Sequence, residues 1–210
     1  MEVRALLGAP LRMIKTILFD TDGMVIRREM YFSQRFSQEF NIPLGMVLPF
    51  FKNEFRLCLI GKADLKQELA KYFDQWNWQK SADDLILFWF EHESNLDQKI
   101  LESVRTLREK GFRCYLDTNN EKYRIQYLLE NFGLKNHFDG LFTSVDLGFT
   151  KPQPEFWSAI HDQLSQPDKS EVLVWDDGQE NVESAKEFGF QSELYSGFDA
   201  YQSRVNSLFG

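Results

Sequence analysis

The chain has 210 residues, and 24 Lys and Arg against 32 Asp and Glu leave a formal charge of −8. An acidic chain is poorly matched to nonspecific nucleic-acid or anionic-membrane binding, which draws on Lys and Arg to neutralise phosphates. With 43% hydrophobic residues it can bury enough surface to offset chain entropy, which excludes disorder and leaves room for one full core and a small insert.

Residues 1–12 read as a tail ahead of the fold, with no apolar stretch long enough for a signal peptide. Ile14 to Asp20, IKTILFD, is short, apolar and β-branched at its start, the pattern of a buried strand in a parallel sheet. About 70 residues of different character follow. Tyr31 to Phe40, Pro43 to Lys52, Ala63 to Phe73 and Ala82 to Glu93 read as helices with no convincing strand between them. Met24 to Asn95 holds 14 of the 32 aromatic residues. Strand and helix then alternate. Helices are expected over Asp97 to Lys110, Glu121 to Phe132, Pro154 to Leu164 and Asn181 to Phe188, three of them followed by glycine. Between and after them stand the apolar runs RCYLD, GLFTSV, EVLVW and the weaker SELY. The expected fold is therefore α/β: a Rossmann-like parallel sheet of five strands with helices on both faces and an inserted α-helical subdomain. The core would be residues 13–23 and 96–210, and the insert 24–95.

In open parallel sheets the site lies outside the carboxyl ends of the strands. The first strand ends in Asp20-Thr21-Asp22-Gly23, the second in Asp117-Thr118-Asn119 and the fourth in Asp176-Asp177-Gly178; the loop after the third carries Lys151-Pro152. Asp20 and Asp22, two apart in an extended segment, can face one ligand. One carboxylate can attack an electrophile while its neighbour gives and takes a proton. Asp176 and Asp177 add negative charge that a cation must offset. Hard oxygen ligands suit Mg²⁺, and Thr118 and Lys151 can hold phosphoryl oxygens. Alone, each string reads as a polar turn, a solvated loop or a helix-start acid pair. Together, at successive strand ends, they read as a site.

These four segments resemble the motifs of the haloacid dehalogenase superfamily. ILFDTDGM is similar to the first, CYLDTNN to the second, GFTKPQPEFW to the third and VLVWDDGQENVESAKEFG to the fourth, and the insert after the first strand matches the helical-cap subclass. The resemblance implies a five-stranded core with the first strand central. It implies that Asp20 attacks phosphorus and forms an aspartyl-phosphate, while Asp22 acts as acid and then base. It implies Mg²⁺ on the carboxylates of Asp20 and Asp177 and the backbone carbonyl of Asp22, with Asp176 bound directly or through water. Thr118 and Asn119 would contact the phosphoryl group or substrate, and Lys151 would neutralise the phosphoryl oxygens and orient Asp20. The expected activity is hydrolysis of a small phosphorylated metabolite. A phosphotransferase or phosphomutase of the same superfamily, or a noncatalytic binding module on the same fold, are the alternatives. Asp22 is an acid that dehalogenases of the superfamily lack, and FRLCLIGKADL stands where sugar phosphomutases carry an Arg-x-x-Ser-Leu loop.

Other residues are less telling. Phe50, Phe51, Phe55, Trp76, Trp78, Phe88, Trp89 and Phe90 can line a pocket or form the insert's own core. Arg56 and Lys62 can read a second anionic group or lie on the surface. The three histidines show no ligand spacing, and Cys58 and Cys114 form no disulfide framework, which points to a reducing cytoplasm. Neither a membrane nor a nucleic acid is expected as partner, since no run approaches the ~18 apolar residues of a membrane span.

Overall fold

A computed structural model describes residues 14–210; the expected tail, 1–12, lies outside the described residues. Five strands form one parallel sheet: β1 (Thr16–Asp20), β4 (Arg113–Thr118), β5 (Gly140–Thr143), β6 (Val172–Asp176) and β7 (Gln191–Leu194), in the order β5-β4-β1-β6-β7. Every residue of β1 is buried because it is the central strand and is covered on both faces. Side chains alternate between those faces. Ile17, Phe19, Leu116 and Trp175 pack with Ile100, Val104, Leu128 and Tyr201 on one side. Leu18, Val172 and Val174 pack with Phe156, Trp157, Ile160 and Ala185 on the other.

The helices that supply these layers are α6 (Gln98–Glu109), α7 (Lys122–Phe132) and α11 (Phe198–Phe209) on the first face, and α9 (Pro154–Gln163) and α10 (Gln179–Phe188) on the second. A single-turn helix, α8 (Ser144–Leu147), takes up the end of the segment expected to continue β5, because the Thr143 side chain caps the Asp146 amide. The C-terminal helix α11 was not anticipated. Its signal is present in the sequence as Phe198, Tyr201, Val205 and Leu208 at helical spacing, and the buried Tyr201 hydroxyl lies 2.9 Å from Ser103 Oγ.

After β1 the chain makes a tight turn and enters β2 (Ile26–Arg27), which pairs antiparallel with β3 (Asn95–Leu96). This two-strand ribbon, absent from the sequence reading, carries the chain out of the sheet domain and back. Between its strands lie α1 (Phe32–Glu39), α2 (Leu44–Lys52), α3 (Glu54–Leu59), α4 (Leu65–Ala70) and α5 (Ala82–His92). The expected helix over Ala63 to Phe73 is shorter, because Asp64 caps it at one end and turns replace it after Ala70. These helices have a core of their own: Phe32, Phe36, Phe50, Trp76 and Leu85 are all at most 2% exposed.

Candidate active site

The residues that end β4, β1 and β6 come together as a row. Asp117 and Asp20 are register partners on neighbouring strands, and Asp176 follows Trp175, the partner of Phe19. By strand parity all three lie on the α9–α10 face. The Lys151 ammonium, carried in by the loop between α8 and α9, sits among them at 2.7 Å from Asp20 Oδ1, 2.6 Å from Asp176 Oδ2 and 3.2 Å from Asp117 Oδ1. Its three N–H donors match three carboxylates. Its backbone is fixed as well: Asn119 Oδ1 accepts from the Lys151 amide at 2.8 Å and Asn119 Nδ2 donates to the Lys151 carbonyl at 3.0 Å. Asn119 thus braces Lys151 while still lining the cavity.

One ammonium against three buried carboxylates is a strained charge balance. Burial pushes the Asp20 carboxyl well above its usual range; Lys151 opposes this, and Asp176 and Asp117 add to it. Burial likewise raises Asp117, to about 6. For Lys151, burial alone would pull the ammonium down, but Asp117, Asp176 and Asp20 together hold it well above the ordinary range. A further cation would relieve the excess. The carboxylates of Asp20, Asp176 and Asp177 each offer an oxygen, all within 4.8 Å of one another, and Asp177 is exposed. Hard oxygen donors with an accessible side fit Mg²⁺. Asp177 reaches this place because residue 23 is glycine: a Cβ there, at φ +114°, would fall 2.0 Å from Asp177 Oδ2. Asp176 is held by Gly178 N–H at 2.7 Å and Asn181 Nδ2 at 2.9 Å on its other oxygen.

Asp22 points elsewhere. Its carboxylate accepts from Arg124 Nη2 at 3.0 Å and from the Asn120 amide, and Asn120 also donates to Thr118 Oγ1 at 2.7 Å. Burial pushes Asp22 up, but Arg124, Asn120 and Arg28 outweigh it and hold the carboxyl below its usual range. The Asp22 backbone carbonyl accepts from Arg28 Nη2 at 3.0 Å. Asp20, Asp22, Thr118, Asn119, Lys151 and Asp177 all line one cavity of about 260 Å³. Helical residues Phe55, Trp89 and Phe90, together with Glu93, form its opposite wall. Arg56 and Lys62 are exposed and do not line it.

A family model for haloacid dehalogenase-like hydrolases matches residues 14–189. The chain belongs to that family. D-ribitol-5-phosphate phosphatase of Bacteroides thetaiotaomicron is 32% identical over 198 residues, spanning 86% of this chain and 91% of that protein. Bifunctional epoxide hydrolase 2 of Sus scrofa is 23% identical over 223 residues, 94% of this chain but 39% of that protein. Drimenol cyclase drtB of Aspergillus calidoustus is 30% identical over 118 residues, 55% of this chain and 22% of the cyclase. The chain thus spans well under half the length of these last two relatives. A solved family enzyme of Bacteroides thetaiotaomicron has the same fold, with a TM-score of 0.80 at 20% identity over 92% of this chain and 99% of that one. That enzyme has also been solved with magnesium and inorganic phosphate, with a TM-score of 0.73 at 20% identity over 90% of this chain and 98% of that one.

As a member of the haloacid dehalogenase-like hydrolases, the chain is an enzyme whose fold and strand-end residues were readable in its sequence. Six cavity residues were not singled out there: Arg28, Glu93, Asn120, Glu121, Arg124 and Asn181. Asn120 had a signal, as the second Asn of Asp-Thr-Asn-Asn. The others lie on the ribbon's cap side, at a helix start or on a helix, where no strand-end rule reaches them. No helix among the described residues is long and apolar enough to cross a membrane.

Proposed function

We propose that the protein is a Mg²⁺-dependent phosphohydrolase of small phosphomonoesters. The observation that carries this reading is the pairing of Lys151 with Asp20 at 2.7 Å, at the floor of a cavity whose wall also holds Asp22. Lys151 orients Asp20 for attack on phosphorus and offsets charge on the phosphoryl oxygens. Thr118 Oγ1, steered by Asn120, is the neutral partner for those oxygens. Asp22, ionised beside Arg124 and Asn120, is suited to take a proton from the water that opens the aspartyl-phosphate, and in its protonated form it gives one to the departing ester oxygen. The carboxylates of Asp20 and Asp177 and the Asp22 carbonyl, with Asp176 beside them, would hold Mg²⁺, which would supply charge neutralisation for the phosphoryl group.

The cavity volume of about 260 Å³ supports a compact substrate. The similarity to D-ribitol-5-phosphate phosphatase favours an open-chain or sugar phosphate among these. Phosphate release from p-nitrophenyl phosphate, D-ribitol 5-phosphate, glycerol 3-phosphate and a panel of sugar phosphates, with Mg²⁺ and with chelator, tests the reading. Wild type should release phosphate only with the metal, and Asp20→Asn should release none. A wild type silent on the whole panel, or an active Asp20→Asn, would refute it.

A further inference from the structure

Three cations line the catalytic cavity: Arg28, Arg124 and Lys151. Two of them are taken up by the protein. Lys151 directs its N–H donors to Asp20, Asp117 and Asp176. Arg124 is buried and donates to Asp22 Oδ1, the Glu93 and Phe90 carbonyls and Ser94 Oγ. Arg28 differs. Among the described residues it makes one hydrogen bond, from Nη2 to the Asp22 carbonyl at 3.0 Å, and its guanidinium lies over the Tyr31 ring at 4.5 Å. A guanidinium has about five N–H donors, so most of those on Arg28 are available to a ligand.

The ribbon places it there. Arg27 and Arg28 are successive residues as β2 ends, and successive side chains of an extended segment point to opposite sides. Arg27 is exposed and turns to the return strand, with Nη2 3.4 Å from Asn95 Oδ1 and Nε 3.6 Å from Asp97 Oδ2. Arg28 is half-buried and turns to the site. Gly23, Arg28 and Asp177 also line a second, open cleft of about 1070 Å³, so Arg28 stands where cavity and cleft share a wall. A phosphoryl group held by Asp20 and Lys151 leaves this part of the wall to the rest of the substrate.

The charges around Arg28 decide what it takes. Glu93 lines the same cavity, and its oxygens accept from the Phe32 amide and, at 2.9 Å, from Trp89 Nε1. An ionised carboxylate has about four acceptor positions, which leaves capacity for a ligand. Burial is the largest influence on the Glu93 carboxyl and pushes it up, while Arg28 opposes it; Arg28 acts in the same sense on Asp22 and Asp177. A second anionic group on a substrate would therefore gain Arg28 but meet the carboxylates that surround it. Glu93 stands on the wall opposite the metal carboxylates, so a cation among those does not pair with it. A hydroxyl carries no charge, accepts from a guanidinium and donates to a carboxylate. We propose that Arg28 is a specificity-determining residue that, with Glu93, reads a hydroxyl of the leaving group and so selects polyhydroxylated, uncharged alcohols over apolar or anionic ones. This rests on the phosphohydrolase reading.

The experiment varies one carbon chain. D-Ribitol 5-phosphate carries the hydroxyls, pentyl phosphate has the same chain without them, and D-ribonate 5-phosphate ends in a carboxylate. With Mg²⁺, wild-type kcat/KM should be about tenfold or more higher on the ribitol ester than on either of the others, the size of one hydrogen bond to a charged group. Arg28→Met keeps the stem and removes the donors. The ratio of ribitol to pentyl ester should fall by about tenfold or more, chiefly through KM, because binding of the chain is what is lost. If Arg28 did no more than brace the Asp22 carbonyl, both esters would lose alike; an unchanged ratio therefore overturns the inference. Glu93→Gln should narrow the preference for the ribitol over the ribonate ester by about tenfold or more, and an unchanged preference overturns it as well. Should either variant fail to fold, the wild-type ratios decide: a wild type that uses the pentyl or the ribonate ester as well as the ribitol ester refutes the selection. So does a wild type active on p-nitrophenyl phosphate and on none of the three. A wild type silent on all four instead overturns the phosphohydrolase reading.

Discussion

Asp117 offers the sharpest test of the charge row beneath the site. It has no exposed surface, one oxygen 3.2 Å from Lys151 and the other without a hydrogen-bond partner. Burial, with Asp176 adding to it and Lys151 opposing it, raises its carboxyl from 3.8 to about 6. A raised folded-state value means that the folded protein binds more protons than the unfolded chain between those two pH values. Stability from this group is therefore fully present below 3.8 and is lost as pH rises through about 6. At about 1.4 kcal/mol per pH unit the loss is about 3 kcal/mol. The substitution Asp117→Asn keeps the shape of the side chain and removes its titration. The variant's stability relative to wild type should improve by about 2–3 kcal/mol between about pH 4 and about pH 7.5, with Mg²⁺ removed by chelator. Urea unfolding of both proteins across that range reads the difference for Asp117 together with the groups it touches, because carboxylates outside the set of Asp20, Asp117, Asp176 and Lys151 cancel in the subtraction. A difference that is flat with pH, or that favours wild type more as pH rises, would show that Asp117 is not carrying an uncompensated charge.

Two further outcomes follow from the same geometry. Gly23→Ala places a methyl group on the Asp177 carboxylate at a backbone φ of +114°; Mg²⁺ affinity by calorimetry should fall by about tenfold or more, and unaltered affinity would remove Asp177 from the metal set. Burial also pushes the Asp177 carboxyl up, as it does Asp20. Protons therefore compete with the metal, and the rise in melting temperature on adding Mg²⁺ should be larger at about pH 7.5 than at about pH 5. An equal rise at both would refute that competition.

The sheet was legible because its signals are local. An apolar run of five to seven residues closing on an acid is a buried strand and its carboxyl end at once, and β1, β4 and β6 share that form. Once the strands are ordered, Asp20, Asp117 and Asp176 must fall on one edge. The ribbon β2–β3 was not legible, since two residues per strand carry no periodicity, and what pairs Ile26 with Leu96 is the return of a chain segment some 70 residues later. Arg124 was hidden for the same reason. On α7 it reads as one more solvent-facing charge among Lys122, Glu130 and their neighbours, and only the arrival of Phe90, Glu93 and Ser94 from the cap makes it a buried cation. The Gly197-Phe198 start of α11 is different: its periodicity was there to be read.

The aromatics of the cap left two readings, a pocket lining or the insert's own core, and the packing assigns most of them to the core. Phe32 stacks on Phe36 at 5.2 Å and on Trp89 at 4.7 Å, and Phe36 meets Trp76 edge-on at 5.4 Å, so the rings satisfy one another inside a small helical body. A segment of this size has little volume for its surface, and large rings bury more area per residue than aliphatic side chains. Of the eight aromatics that could have lined a pocket, Phe55, Trp89 and Phe90 reach the cavity, while Phe50, Trp76 and Trp78 are buried in the cap's core. The rest of the wall facing Asp20 is charged: Arg28, Glu93, Glu121 and Arg124. Trp89 itself is tied to that set, since its Nε1 donates to Glu93 Oε2 at 2.9 Å. A greasy leaving group would strand these buried charges, whereas hydroxyl groups can bond to them and lay their C–H faces on the three rings. The abundance of rings therefore stabilises the cap, and the few polar groups among them are the ones placed to choose what enters.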